Sequence, residues 1–457
     1  MISPHASIAE LGRALRERKV SSVELTQMYL QRLRTLGQEH RAVALLTEDL
    51  ALRQARAADR TMSSARSPLH GIPFGVKDLL ATRGIPTRWG SPAHHDQVFE
   101  FDSTVVRRLQ DAGGVLVAKL SMIELAGGGN YNVPWASAEG ACLSAFDKKR
   151  WAGGSSSGSG AAARLGLAGY TIGSETSGSI TCPSAFNGAT GFRPTYGRVS
   201  RHGAMALCWT LDKLGPICRS AEDCGTVLEA IAGPDPADPS TLKDRLNLRR
   251  RLPRPRIGLL KERFEENKAS AAQAAYEGAL EAFRKLGYET VEVPYPDLPY
   301  MLAVGLIVDA EGASAHENFI RSERLPMLAD VHQVAGFAAS LQTLATDYLW
   351  AMRLRTEALK ANEVWDKCDC IFTHVFLHAA VPADKPFSET WRNMGGDYGP
   401  ANLLGWPSMA FPIGFEDGAP LGGQVIAPAM REDVCYRVAV DFQRATDWHR
   451  RVPSGSA

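Results

Sequence analysis

The chain has 457 residues and 45% of them are hydrophobic, enough apolar material for the core of one large domain or two ordinary ones. A formal net charge of +1 argues against the strong basic field of a nucleic-acid binder or of a protein drawn to anionic membranes. No run of about 18 apolar residues is long enough to span a bilayer, and residues 1–20 lack the apolar centre of a signal peptide, so a cytoplasmic protein without nucleic-acid or membrane partners is expected.

In chain order, residues 7–18 and 21–35 have the periodicity of amphipathic helices. Ser21, with Glu24 three positions on, forms a capping-box pattern. Leu45 to Met62, rich in alanine and arginine, also reads as helical. Gly71 to Leu80 is an apolar stretch that carries one lysine, Lys77. A helix over Thr104–Ala112 and a short buried strand over Gly114–Lys119 follow. Gly127 to Gly160 is rich in glycine and serine, Tyr170–Gly173 suits a strand, and a second Gly/Ser turn covers Ser174–Ser179. Pro234 to Pro255 is proline-rich and charged, the best linker candidate. Beyond it the pattern predicts a strand at Arg256–Leu260, a helix at Ser270–Leu286 and a strand at Thr290–Val293, then helices. Cys370–Phe376 and Gln424–Ala427 are further strand candidates. Alternating strands and helices argue for an α/β layered fold, and there is no internal repeat.

Eight cysteines are scattered without any C-x-x-C pair, and the C-x-C at Cys368 and Cys370 has no partner cluster. That usage fits a reducing compartment and gives no zinc site. His374 and His378 are four apart but follow an apolar, strand-like run, so neither a metal nor another cofactor is expected.

Two turns carry the chemistry: Gly153-Gly154-Ser155-Ser156-Ser157-Gly158 and Ser174-Glu175-Thr176-Ser177-Gly178-Ser179. Taken singly, each reads as a flexible loop. Flexible linkers join domains, however, whereas apolar sequence lies between these turns and after the second. The first also contains G-x-S-x-G at Gly154, Ser156 and Gly158, the pattern of a nucleophile elbow. An elbow needs a hydrophobic strand just before it, and here Asp147-Lys148-Lys149-Arg150-Trp151 precedes it. An S-x-x-K at Ser240 and Lys243 lies in the charged linker and is discounted. Lys77 sits among Ile72, Phe74, Val76, Leu79 and Leu80. Burial there would lower its pKa and let it act as a base; the other reading pairs it with Asp78.

The segments GGSSSGSGAAA and GSETSGSITCPSAFNGATGFRPTYGRVSR resemble the signature region of the amidase-signature hydrolases. HGIPFGVKDLLATRGIPTRWGS is similar to the lysine segment of that family, and GPANLLGWPSMAFPIGFEDGAPLGGQVIAPAMRED to its C-terminal segment. The resemblance implies a catalytic triad of Lys77, Ser155 and Ser179, with Ser155 in a cis peptide after Gly154 and Ser179 as nucleophile. It implies an oxyanion hole of backbone N–H groups from Thr176, Ser177, Gly178 and Ser179, and an acyl-pocket loop at Ala126, Gly127 and Gly128. Arg193 and Arg198 are expected to serve structure rather than substrate. The implied fold is α/β, a single-domain α/β/α sandwich over residues 1–457 with a central mixed twisted sheet. Its catalytic core would span about residues 65–220, and the pocket and C-terminal portion residues 256–457.

The sequence departs from the family at Glu175, Ser177, Thr181 and Trp406, where Asp, Gly, Arg and His are usual. Glu175 and Thr181 cannot form the usual acid–arginine support of the turn, so another arrangement is expected there. The implied activity is hydrolysis of small or aryl amides, with carbamates and esters within reach, by a monomer or homodimer that needs no cofactor. The alternative is the glutamine-hydrolysing component of an amidotransferase, which releases ammonia from glutamine for tRNA-dependent amidation. A catalytically dead scaffold and an esterase working through Ser156 are the remaining readings.

Overall fold

The computed structural model describes residues 2–65, 67–251, 253–260, 272–294, 298–390 and 399–456. Its frame is one sheet of eleven strands: β1 Val43–Leu46, β2 Pro73–Lys77, β3 Val115–Leu120, β4 Tyr170–Glu175, β5 Thr190–Arg193, β6 Lys213–Cys218, β7 Ile257–Leu260, β8 Thr290–Val293, β9 Cys370–His374, β10 Ser408–Glu416 and β11 Ala419–Ile426. Across the sheet they run β1-β3-β2-β4-β6-β5-β10-β11-β9-β7-β8. β2 is parallel to both β3 and β4, and β7 to both β8 and β9. The middle from β4 to β9 is antiparallel. This is the mixed α/β architecture that the family resemblance implied.

The helices that pack on this frame include α1 Ile8–Arg16, α2 Ser22–Arg32, α3 Glu48–Thr61, α4 Thr104–Asp111, α5 Ser157–Leu165, α6 Thr181–Asn187, α7 Ala221–Ile231, α8 Gln273–Lys285 and α9 Tyr300–Ala315. Further along the chain come α10 Val331–Ser340, α11 Ala345–Glu357 and α12 Glu432–Ala445. Both faces of the sheet are covered. Phe74, Val76, Tyr170 and Ile172 share a core with Val227 of α7 and Phe442 of α12. Val115, Val117 and Leu120 share another with Ala161, Ala162 and Leu165 of α5. The period-2 alternation of a strand delivers side chains to both cores.

Local signals set the helix starts. Ser7 with Glu10 and Ser21 with Glu24 each close a complete capping box. The helix read from Leu45 begins instead at Glu48, because Val43–Leu46 pairs with β3 as an edge strand. Thr47 ends that strand by donating its hydroxyl to the Leu116 carbonyl at 2.7 Å. Of the helix read at Ser270–Leu286, residues 270 and 271 lie outside the described residues and the rest forms α8.

The β10–β11 hairpin shows in the sequence only at its last residues. Its turn is Asp417-Gly418, with φ of 49° and 78°. Positive φ at both positions is the type I′ geometry that matches strand twist, and Asp-Gly is a favoured pair for it. The stretch read as a linker, 234–255, is fastened to the body rather than loose. Asp235 accepts from the hydroxyls of Thr104 at 2.5 Å and Ser200 at 2.6 Å, Asp238 accepts from the Arg201 N–H at 2.8 Å, and Leu248 is buried in the main core. Its charges and prolines resemble a linker's because it crosses the surface, while its carboxylates are spent on fixed donors.

Candidate active site

Strand β2 ends on Lys77, whose side chain is 0% exposed. Its Nζ donates to Ser155 Oγ at 2.6 Å and to Ser174 Oγ at 2.9 Å. Burial lowers its pKa to about 7, against the opposing pull of the Asp212 and Glu175 carboxylates. The alternative partner, Asp78, is engaged elsewhere. It lies 3.1 Å from Lys119 Nζ and accepts from the Arg88 N–H at 2.9 Å. Two buried lysines on adjacent strands are thus treated differently: Lys119 has an adjacent counter-ion, whereas Lys77 meets two serine hydroxyls.

The first Gly/Ser turn lies between the Trp151 bridge and α5. Its Gly154–Ser155 peptide is cis, the conformation implied by the resemblance. Ser155 is buried, and its carbonyl accepts from the Ile123 N–H at 3.1 Å. Ser156, the middle of the G-x-S-x-G pattern, fastens the turn to β4. Its hydroxyl donates to the Ser174 carbonyl at 3.1 Å and accepts from the Ser174 N–H at 3.2 Å. That hydroxyl is fully buried, and no strand precedes it, so the elbow geometry is not formed.

The second turn leaves the end of β4 and enters α6. Its carboxylate forms the different arrangement expected there. Glu175 Oε2 accepts from the N–H groups of Ile180 at 2.8 Å and Thr181 at 2.9 Å, and Oε1 accepts from Arg193 Nη1 at 2.6 Å. The acid–arginine support is therefore present, with the arginine supplied from β5. Arg193 also donates to Asn402 Oδ1 at 3.0 Å, and to the Trp406 carbonyl at 3.2 Å from Nε and 3.1 Å from Nη2. Trp406 thus contributes its backbone, while its indole packs on Trp365 with centroids 4.8 Å apart. Burial would push the Glu175 carboxyl up, but Arg193, Lys213 and the donated hydrogen bonds bring it down to about 2. Arg198 likewise pairs inside the fold, with Glu432 at 3.1 Å.

The start of the turn is held by neighbouring residues that lie outside the recognisable motifs. Asp212 Oδ1 accepts from Thr176 Oγ1 at 2.6 Å, and the Lys213 Nζ donates to the Thr176 carbonyl at 3.3 Å. Their signal was a pair of adjacent charges in the otherwise apolar run Leu211–Cys218, since buried charges need partners. Between these anchors, the N–H groups of Ser177, Gly178 and Ser179 donate to no acceptor among the described residues. The Ser179 carbonyl accepts from the Ser156 N–H at 3.4 Å, which ties the two turns together.

A cavity of about 190 Å³ abuts this turn, with Ser174, Thr176, Ala126, Leu79, Met205 and Trp209 in its wall. Its charged groups are already engaged. Arg201 donates to Ser240 Oγ at 2.9 Å and to the Trp209 carbonyl, and lies 3.6 Å from Asp238. Asp212 Oδ2 accepts from the N–H groups of Leu207 and Cys208 at 2.9 Å each.

Of the three pocket residues read from the sequence, Ala126 lines the cavity, in a left-handed conformation with φ 55°. Gly127 and Gly128 face packing partners: a Cβ on Gly128 would stand 2.5 Å from Phe337 Cζ. Helix α10 lies tight against this loop. Gln333 Nε2 donates to the Gly128 carbonyl at 3.0 Å, and a Cβ on Gly336 would fall 1.7 Å from the Gly129 carbonyl oxygen. Gly336→Ala is expected to push α10 outward at a cost of about 1–3 kcal/mol. A lowered denaturant midpoint with a raised KM would show it; a variant with wild-type values would refute the close fit.

His374 lies on β9, stacked on Tyr276 at 4.4 Å, while His378 belongs to the following loop and bonds the Ala379 carbonyl at 2.7 Å. All eight cysteines are free and buried. Among the described residues no helix is long and apolar enough to cross a membrane.

A buried lysine at the end of β2 is thus bonded to a serine of one Gly/Ser turn and to a serine at the end of β4, where the second turn begins. The sequence model described as Amidase matches residues 24–436, and the chain belongs to that family. A glutamyl-tRNA(Gln) amidotransferase component from Methylococcus capsulatus is 34% identical over 488 residues, covering 99% of each chain. Among solved structures, the native peptide amidase of Stenotrophomonas maltophilia superposes with a TM-score of 0.84 at 29% identity, covering 96% of this chain and 97% of that one. A chain from a vestigial protein complex bearing on the origins of an s-triazine catabolic enzyme gives 0.87 at 28% identity, covering 96% and 98%.

Proposed function

We propose that the protein is a hydrolase of amide-type C–N bonds in which Ser179 is the nucleophile, Ser155 the relay and Lys77 the base. The observation that carries this reading is the 2.6 Å bond from a desolvated Lys77 to Ser155, beside a turn with open N–H groups. Serine becomes nucleophilic only as a base takes its proton. The proton of Ser179 passes to Ser155 as the hydroxyl proton of Ser155 passes to Lys77. The Ser179 oxygen bonds to the carbonyl carbon, and the oxyanion is met by the open N–H groups of the turn. The ammonium of Lys77 returns the proton along the same path to the departing nitrogen. Water then attacks the acyl-enzyme, with Lys77 again accepting the proton.

The substrate group that enters the cavity is small and uncharged. An apolar cavity of about 150 Å³ accepts benzene, and this one is of similar size, with its charges already paired. An aryl or short alkyl amide fits that description, and carbamates and esters share its carbonyl chemistry. The second reading, release of ammonia from glutamine, is favoured by the names of relatives such as the one from Methylococcus. Glutamine brings an ammonium and a carboxylate, and the charged groups of the described wall are all occupied. A panel of aryl anilide, aryl carbamate, aryl ester and glutamine decides between them. Turnover of the first three supports the amidase reading, and turnover of glutamine alone replaces it.

Lys77 must be neutral to act, and burial sets its pKa at about 7. Protonation of Lys77 is therefore expected to make activity fall about tenfold per unit as the pH drops well below neutrality. Lys77→Met should lose about 10²–10⁴-fold in kcat at neutral pH. Full activity at acid pH in the wild type would contradict a lysine base.

A further inference from the structure

Lys213 is a second buried lysine at the site, on the far side of the turn from Lys77. It opens β6 directly opposite Glu175 in the β4–β6 ladder. Its Nζ reaches the Thr176 carbonyl at 3.3 Å, and the adjacent Asp212 holds the Thr176 hydroxyl. Glu175 clasps the other end of the turn at Ile180 and Thr181. The unpaired N–H groups lie between these two anchors. In a trans peptide the carbonyl and the following N–H point in opposite directions. Whatever fixes the Thr176 carbonyl on the β6 side therefore turns the Ser177 N–H away from β6. A cation on that carbonyl also polarises the peptide and strengthens the N–H as a donor.

We propose that Lys213, as an ammonium, is a positioning residue that orients and polarises the Thr176–Ser177 peptide so that the Ser177 N–H meets the oxyanion of the reacting carbonyl. This rests on the reading of Ser179 as nucleophile. The ionisable groups facing Lys213 are Arg193 from β5, Glu175 from β4, Asp212 beside it and Cys208 from the preceding loop. Burial and the Arg193 charge lower its pKa to about 7, while Glu175, Asp212 and Cys208 oppose the shift. The two lysines therefore have opposite requirements. Lys77 works without its proton and Lys213 with it. The rate rises as Lys77 deprotonates and falls as Lys213 does, so kcat passes through a maximum near neutrality.

The test is kcat and KM for an aryl anilide from about pH 5.5 to 10 in the wild type, Lys213→Met and Lys213→Gln. Reaction of a fluorophosphonate with Ser179 is followed in the same samples. Lys213→Met is expected to lose about 10–100-fold in kcat, with KM little changed and the alkaline decline gone. Lys213→Gln, a neutral donor, should recover part of kcat and also lack the decline. Wild-type kcat in Lys213→Met, or an alkaline decline that persists in it, overturns the assignment. If neither variant folds, the wild-type profile decides alone, because kcat level up to the alkaline limit excludes a needed ammonium. Ser179 left unlabelled while Ser179→Ala stays active sinks the parent reading instead. Normal labelling with unaltered Lys213 variants sinks only this one.

Discussion

Replacing Ser179 with alanine is expected to abolish turnover, with kcat down by at least about 10⁴-fold and the fold intact. The side chain is 9% exposed, and no described structural hydrogen bond depends on its hydroxyl. The carbonyl that receives the Ser156 N–H is backbone and survives the change. If Ser179 is the nucleophile as proposed, its loss removes the acyl-enzyme route altogether, and what remains is the binding and oxyanion contribution. Steady-state kinetics on the anilide, together with mass spectrometry for an acyl adduct, measure it. Substantial activity in Ser179→Ala would move the chemistry to another serine. Ser156 is poorly placed to take it up, since its hydroxyl is consumed by both the N–H and the carbonyl of Ser174.

Arg193→Met is expected to be the most destabilising single change near the site, by about 3–5 kcal/mol. It leaves the Glu175 carboxylate buried at 0% exposure without its closest counter-charge. It also strands the carbonyl of Trp406 and the amide oxygen of Asn402. The pH dependence has a definite sign. Glu175 has a folded pKa of about 2, below its ordinary value of 4.5. Its contribution is complete above that ordinary value and fades as pH falls toward about 2. In Arg193→Met the depressing charge is gone, so the loss is largest at neutral pH and shrinks in acid. Denaturant unfolding at neutral and acid pH measures both. A neutral-pH midpoint equal to the wild type's would show that the pair does not bear on stability. Glu175→Gln added to Arg193→Met should recover part of the loss by removing the stranded charge.

The departures from the family pattern show how far motif matching reaches. Glu175 and Thr181 cannot form the usual acid–arginine pair, because the family's arginine position holds threonine here, and the sequence does not show what replaces it. The arginine is instead eighteen residues beyond Glu175, on β5, and only the sheet brings the two together. Trp406 had no role in the sequence because its contribution is a carbonyl, which every residue has. β5, β6 and most of the β10–β11 hairpin were illegible for a related reason. TGFR, KLGPIC and SMAFPIGFE carry the glycines and prolines of loops. Burial between other strands and helices keeps them extended, an override of local propensity by context.

By itself the sequence determined what rests on neighbouring residues: the capping box at Ser21, the β8 strand and the two Gly/Ser turns. Each depends on contacts within a few positions along the chain, so composition and spacing carry it. The tertiary structure decided which serine hydroxyls meet Lys77, which buried charges pair with which, and what holds the turn open at Ser177–Ser179. Those outcomes depend on residues from β2, β4, β5 and β6 meeting in space. In a low-dielectric interior a charge is stabilised or stranded by its few nearest partners. Only the packed sheet selects those partners, placing Asp78 with Lys119, Glu175 with Arg193, and Lys77 with two hydroxyls.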